Sequence, residues 1–128
     1  MYDANARLLW TSADWGGTFA ANKTSGLINL REVADVWLAV AVTGAAGGTA
    51  PTLDVVLDLR DNAAPLPNWF LGALAVDPIT AGASAKHTAG GLHIATKPLV
   101  LPEYGRIRAT LGGTSPTFAG VTVSLFGR

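Results

Sequence analysis

Alternation of apolar and polar positions dominates this chain. In residues 52–60, Leu53, Val55, Leu57 and Leu59 fall on one side of an extended backbone, and Asp54, Val56, Asp58 and Arg60 on the other. Residues 106–111 repeat the pattern, with Ile107 and Leu111 opposite Arg106, Arg108 and Thr110. Further on, Val121, Val123 and Leu125 alternate with Thr122, Ser124 and Phe126. A period of two puts one strand face on a core and the other toward water, as in antiparallel sheets. The segment Asp35-Val36-Trp37-Leu38-Ala39-Val40-Ala41-Val42 is apolar on both faces, which predicts a strand covered on both sides, with Trp37 in the core. Residues 26–31, 69–76 and 91–96 are further strand candidates, the second of them irregular. No long window keeps apolar residues at helical spacing between a cap and a glycine stop, so no helix is expected.

The punctuation agrees with short strands. Gly44-Ala45-Ala46-Gly47-Gly48-Thr49-Ala50-Pro51 reads as a loop, Asp61-Asn62 as the end of the aspartate-bearing strand, and Gly112-Gly113-Thr114-Ser115-Pro116 as the hairpin joining the last two strands. Pro65, Pro67 and Pro78 interrupt the middle of the chain. No internal repeat, charge run or linker stands out. These signals predict one all-β domain, an antiparallel β-sandwich and most simply a jelly roll, over residues 17–128. Residues 1–16 are expected to form an N-terminal segment that acts as an interface arm.

Composition narrows the function. The 128 residues suit one domain. Nine basic residues balance nine acidic ones, which excludes a binder driven by phosphate neutralisation and removes electrostatic membrane attachment as a default. Charged residues make up 14% of the chain, against about 25% in typical domains. A surface this short of charge is expected to be partly covered by something else. The absence of cysteine excludes disulfides, thiolate chemistry and cysteine-ligated zinc. Residues 1–5 lack the basic and apolar parts of a secretion signal, and the longest apolar run, residues 36–46, is too short to span a bilayer.

Candidate chemistry is sparse. The chain has no phosphate-binding loop and no dinucleotide fingerprint, and the surroundings of Ser84 do not fit a nucleophile elbow. His87 and His93 would share a face on an unbroken strand, but Gly90-Gly91 between them reads as a break. With Asp54 and Asp58 the only obvious carboxylates to join them, they do not cluster as metal ligands do. Asp54 and Asp58 lie about 14 Å apart at about 3.4 Å per residue, too far for a paired-carboxylate dyad. They are expected to face solvent, with Arg60, Arg106 and Arg108 as candidate partners. Leu9, Trp10 and Trp15 sit in an unpatterned stretch, and Trp69 and Phe70 on an expected loop. Each group either packs on its own domain or anchors an interface. The triplet Asn22-Lys23-Thr24 reads as a chance match to a glycosylation site.

The stretch Leu99-Val100-Leu101-Pro102-Glu103-Tyr104-Gly105-Arg106-Ile107-Arg108, continuing through Gly112-Gly113 to Phe118, resembles small structural proteins of tailed bacteriophages. In these a leucine-proline and a tyrosine lead into an Arg-[Val/Ile]-Arg strand, a glycine-rich turn and a final strand. Leu57-Asp58-Leu59-Arg60-Asp61-Asn62-Ala63 is similar to another of their elements. The family is the jelly-roll capsid decoration, or cement, proteins, which sit on the outside of HK97-type shells. The resemblance implies a non-enzymatic virion protein that binds the outer capsid surface and reinforces contacts between major capsid subunits. It also implies a homo-oligomer, trimer or dimer, that needs no cofactor, nucleic acid or membrane. On that expectation Leu9, Trp10, Trp15, Trp69, Phe70, Arg106 and Arg108 are the interface candidates. Two other classes share the architecture. A carbohydrate- or receptor-binding module of a phage fibre would use an exposed aromatic such as Trp69 beside Asn68. A cupin-like enzyme would need more clustered metal ligands than two histidines offer.

Overall fold

A computed structural model describes residues 6–61, 68–80, 85–93 and 102–128, with residues 61, 68, 85–93 and 102 described by backbone alone. Two antiparallel sheets face each other. The first runs, in spatial order, β1 (Arg7–Thr11), β10 (Val121–Gly127), β4 (Asp35–Val42) and β8 (Ala85–His93). The second runs β2 (Lys23–Thr24), β9 (Pro102–Phe118), β5 (Ala46–Asp61) and β6 (Asn68–Ala75), with β3 (Ile28–Asn29) also beside β9 and β7 (Ile79–Thr80) beside β5. One 3-10 turn, Ala13–Trp15, is the only helical element among the described residues. None of these holds a helix long and apolar enough to cross a membrane.

The predicted alternation builds the core. Leu53, Val55, Leu57 and Leu59 of β5 and Ile107 and Ala109 of β9 meet Val36, Leu38, Val40 and Val42 of β4 and Val121, Val123 and Leu125 of β10, all of them buried. Phe19 and Phe118, both fully buried, close one end. Interdigitation of the two inner faces is what holds a sandwich together. Ser12 is a buried polar residue of this core region, and its polarity is satisfied. Its N–H donates to the Val123 carbonyl at 2.9 Å, and its Oγ accepts the Val123 N–H at 2.8 Å.

The glycine-rich segments depart from expectation. Neither is a loop: residues 46–51 and 112–116 lie inside β5 and β9 and pair with each other, Gly47 opposite Thr117, Thr49 opposite Thr114 and Thr52 opposite Gly112. The hairpin between β9 and β10 falls instead at Ala119-Gly120. The register brings out a short repeat that a linear reading passes over. Gly47-Gly48-Thr49-Ala50-Pro51-Thr52 and Gly112-Gly113-Thr114-Ser115-Pro116-Thr117 are one six-residue pattern used twice, laid antiparallel about a local twofold axis. The second glycine of each copy has φ near +100° (Gly48 +93°, Gly113 +101°), and the fourth residue of each, Ala50 and Ser115, has φ +48°. A Cβ on Gly113 would stand 2.5 Å from the Ala50 carbonyl oxygen. Only glycine fits there, so these residues form paired bulges rather than a chain break.

The bulges lie on a continuous ribbon. The pairing of β4 with β10, from Val36 opposite Gly127 to Val42 opposite Val121, passes through the Gly44 N–H to Ala119 carbonyl bond into the pairing of β5 with β9. The same two chain segments thus leave the first sheet and enter the second side by side. Bulges and positive-φ glycines are how a strand pair bends and twists sharply enough to make that passage.

Other expectations are corrected by pairing. The strand candidate at 69–76 is β6, the partner of β5, and is irregular where its register slips, so Trp69 and Phe70 lie in a strand rather than on the expected loop. The short strand expected at 26–31 shrinks to Ile28–Asn29. β8 runs through Gly90-Gly91, which a bulge opposite Val36 and Trp37 accommodates. β4 is buried on one face only, and Trp37, Ala39 and Ala41 on the other are half-buried. Asn22 Oδ1 accepts the Leu111 N–H at 2.8 Å, a local anchor for β9. Ser84, the Asn62-Ala63 turn, the Pro65-Leu66-Pro67 segment, residues 94–101 and the side chains of His87 and His93 lie outside the described residues.

Candidate interface surfaces

The outer face of the second sheet is built from the polar half of the alternation. Asp58 of β5 stands opposite Arg106 of β9, and Val56 opposite Arg108. Asp58 was expected on a solvated face; instead its side chain is fully buried beneath those arginines. Arg106 Nε donates to Asp58 Oδ2 at 2.8 Å. Arg108 grips both oxygens, Nε to Oδ2 at 2.5 Å and Nη2 to Oδ1 at 3.0 Å. The register of β6 slips at this point, so that Leu71, Gly72 and Ala73 together oppose Asp58. Gly72, at φ +63°, turns its N–H onto Asp58 Oδ1 at 2.8 Å. Burial pushes the Asp58 carboxyl pKa up, but the hydrogen bonds from Arg108, Arg106 and Gly72 outweigh it and hold the group below the ordinary carboxylate value. Arg108 is correspondingly held above its usual value by Asp58.

A row of guanidinium groups and aromatic rings continues across this face. The Arg106 guanidinium lies 4.0 Å from the centroid of the Trp69 ring, so one face of that indole is already covered. Arg60 stands opposite Trp69 in the ladder, and its guanidinium lies 5.8 Å from the Tyr104 ring. Arg31 approaches the same ring at 5.3 Å and donates from Nη2 to the Tyr104 hydroxyl at 2.9 Å. Arg31 also faces Glu103 at 3.5 Å, an exposed pair that contributes little to stability. Among the described residues the Nε of Arg60 is buried with no hydrogen-bond partner. Phe70 and Leu71 on the adjoining edge are exposed, 38% and 61%.

The outer face of the first sheet is different. Leu8, Phe126 and Trp37 stand in one cross-strand row, followed by Thr11, Ser124 and Ala39, and then by Thr122 and Ala41. Leu8 is 53% exposed, and Trp37 and Phe126 are half-buried. These rows continue into β8 with Gly90, Thr88 and Lys86, so the charge they carry falls at the β8 edge, opposite Ala41. At one corner Arg128 pairs with Asp35 at 2.9 Å, its guanidinium 5.8 Å from the Trp37 ring.

The N-terminal candidates belong to the body over the described residues. β1 is hydrogen-bonded along β10, and Trp10 stands opposite the buried Leu125. Trp10 meets Trp15 edge-on at 4.9 Å, and Trp15 meets Phe19 at 5.6 Å. Leu9, Trp10 and Trp15 are partly buried against the core, so the exposed apolar residue of this stretch is Leu8. Of the seven residues singled out by sequence, Trp69, Arg106 and Arg108 come together above Asp58, whereas Phe70 stands opposite the buried Leu59 at the β6 edge. The linear reading missed Tyr104, Arg31, Leu8 and Phe126. Their significance comes from cross-strand register, which alternation does not carry.

Among the described residues no three His, Asp or Glu side chains converge as metal ligands. No protein-family model, characterised protein or solved structure matches the chain.

Proposed function

We propose that this chain is a jelly-roll virion protein that binds the outside of an assembled phage capsid and reinforces contacts between major capsid subunits, acting as a homo-oligomer. The strand order supports the jelly-roll reading. With β2 and β3 counted as one strand and β7 as an annex of β5, the sheets read 1-8-3-6 and 2-7-4-5, the order of a rolled-up antiparallel ribbon. The sequence resemblance in residues 57–63 and 99–118 points the same way.

The observation that carries the reading is the open apolar row of Leu8, Phe126 and Trp37 on the first sheet. A strand apolar on both faces, in a chain with 14% charged residues, is covered on one face only by its own fold. Subunit contacts that persist are more apolar than contacts made late. The first-sheet face is therefore assigned to a second copy of this chain, and the polar second-sheet face is left for the shell. A modest contact repeated over a symmetric lattice then stabilises the shell by avidity and by mass action.

Two measurements test this. Light scattering is expected to find an oligomer that Phe126→Lys converts to monomer. Sedimentation with empty capsids of the encoding phage is expected to show saturable coating. A monomeric wild-type protein that stays in the supernatant overturns the proposal.

A further inference from the structure

We infer that the outer face of the first sheet is complementary to itself and closes a twofold dimer, in which Trp37 and Phe126 of each copy pack over Ala41 and Thr122 of the other. The inference rests on the reading above that a second copy covers this face. It adds how the two copies meet and how many there are.

The relief of the face carries it. One end row is bulky, with Leu8, Phe126 and Trp37 side by side. The middle row holds Thr11, Ser124 and Ala39, and the other end row Thr122 and Ala41, none larger than threonine. On β8 the order is inverted, since Gly90 falls in the bulky row and Lys86 in the small one. Each end row is two residues from the middle one, so bulk and shallowness lie about 7 Å to either side of it. Facing sheets stand about 10 Å apart, and a packed interface leaves few voids. A twofold axis lying between the sheets can bring this face onto its own copy in two ways. With the axis along the strands, each row meets its own kind: rings are forced against rings at one end, and Thr122 and Ala41 face a gap at the other. With the axis across the strands, through the middle row, every bulky row meets a small one. Trp37 then stands over the partner's Ala41, Phe126 over the partner's Thr122, and position 86 over position 90, where there is only glycine. This is the large-against-small layering of a well-packed core. A patch that fits itself about a twofold axis is used up by one partner, so the assembly stops at two, whereas a trimer needs two different patches.

The chain has no cysteine, so single cysteines introduced into the full protein report on this contact alone. Ser124→Cys lies on the middle row, and a short bis-maleimide is expected to join it to its counterpart. Thr122→Cys is expected to stay unjoined, because its two copies lie roughly 14 Å apart along the strands as well as about 10 Å across the interface. Ala41→Phe puts bulk beneath the partner's Trp37 and is expected to weaken dimerisation about tenfold by overpacking, with an unchanged far-ultraviolet circular dichroism spectrum. An oligomer in which Thr122→Cys joins to itself or Ser124→Cys does not, a trimeric mass, or unchanged dimerisation of Ala41→Phe overturns the stacking and leaves the second-copy reading in place. A wild-type protein that stays monomeric, with neither cysteine joined, overturns both.

Discussion

The two outer faces of this sandwich meet water in opposite ways. On the second sheet a charged residue sits where alternation sends it, on the outer side of β5, and is then roofed by two arginines and a turned backbone N–H. On the first sheet large apolar residues sit on the outer side of β1, β10 and β4 and remain partly wet. Burial of Asp58 and exposure of Leu8 both run against the usual partition of side chains. The first is resolved inside the chain, because a buried charge is tolerated once it is paired and hydrogen-bonded. The second has no remedy among the described residues, and that asymmetry is what the proposal of a covering second copy answers.

The largest expected effect comes from breaking the roofed charge. Asp58→Asn leaves two partly buried guanidinium groups without their counter-charge and should cost about 3–5 kcal/mol in chemical denaturation. The sign of its pH dependence follows from the lowered pKa. The stabilisation is fully present above the unfolded-state carboxyl value near about 3.9 and is lost as pH falls through the lower folded value. The gap between wild type and Asp58→Asn should therefore close in strong acid, and a gap constant from neutral pH down through that range would contradict the ion-pair account.

Next is the N-terminal edge that frames the apolar face. Trp15→Ala removes the ring between Trp10 and Phe19 and should cost about 2–3 kcal/mol, below a fully buried site because the indole is only half-buried. Deletion of residues 1–11 should be at least as damaging. Equal thermal midpoints for wild type and the deletion would show that β1 is dispensable to the fold and free to act as an arm.

Smaller still is the ribbon between the faces. Gly113→Ala and Gly48→Ala should each cost about 2 kcal/mol, since each places a Cβ in a left-handed backbone against a carbonyl. The local twofold axis predicts that the two values agree within about 0.5 kcal/mol, the usual spread for independent surface sites. Unequal values would mean that only one bulge makes the corner. The smallest effect on stability belongs to Phe126→Lys, about 1 kcal/mol for a half-buried ring on an outer face. Its consequence should appear in the oligomer mass instead.

Much of the fold was readable in advance because the inner faces obey a strict period of two. Leu53, Val55, Leu57 and Leu59 announced β5 and its core side, and Val121, Val123 and Leu125 announced β10. The glycine segments misled because glycine is read locally as a breaker, whereas here each copy of the repeat is held in a strand by the other, far away in sequence. Trp69, Arg106 and Arg108 could be named as candidates, and the two arginines as partners of Asp58, but nothing along the chain showed that the carboxylate would be buried beneath them.

What the amino-acid sequence by itself determined is the all-β class, the side of each long strand that faces the core, and the shortage of charge at the surface. These follow from composition and from the nearest neighbours along one strand. Tertiary structure alone decided that Asp58 is buried, that Leu8 joins Trp37 and Phe126, and that two glycine hexapeptides cross. Each of these depends on register between strands distant in the chain, and register is set by how whole sheets pack rather than by any one segment.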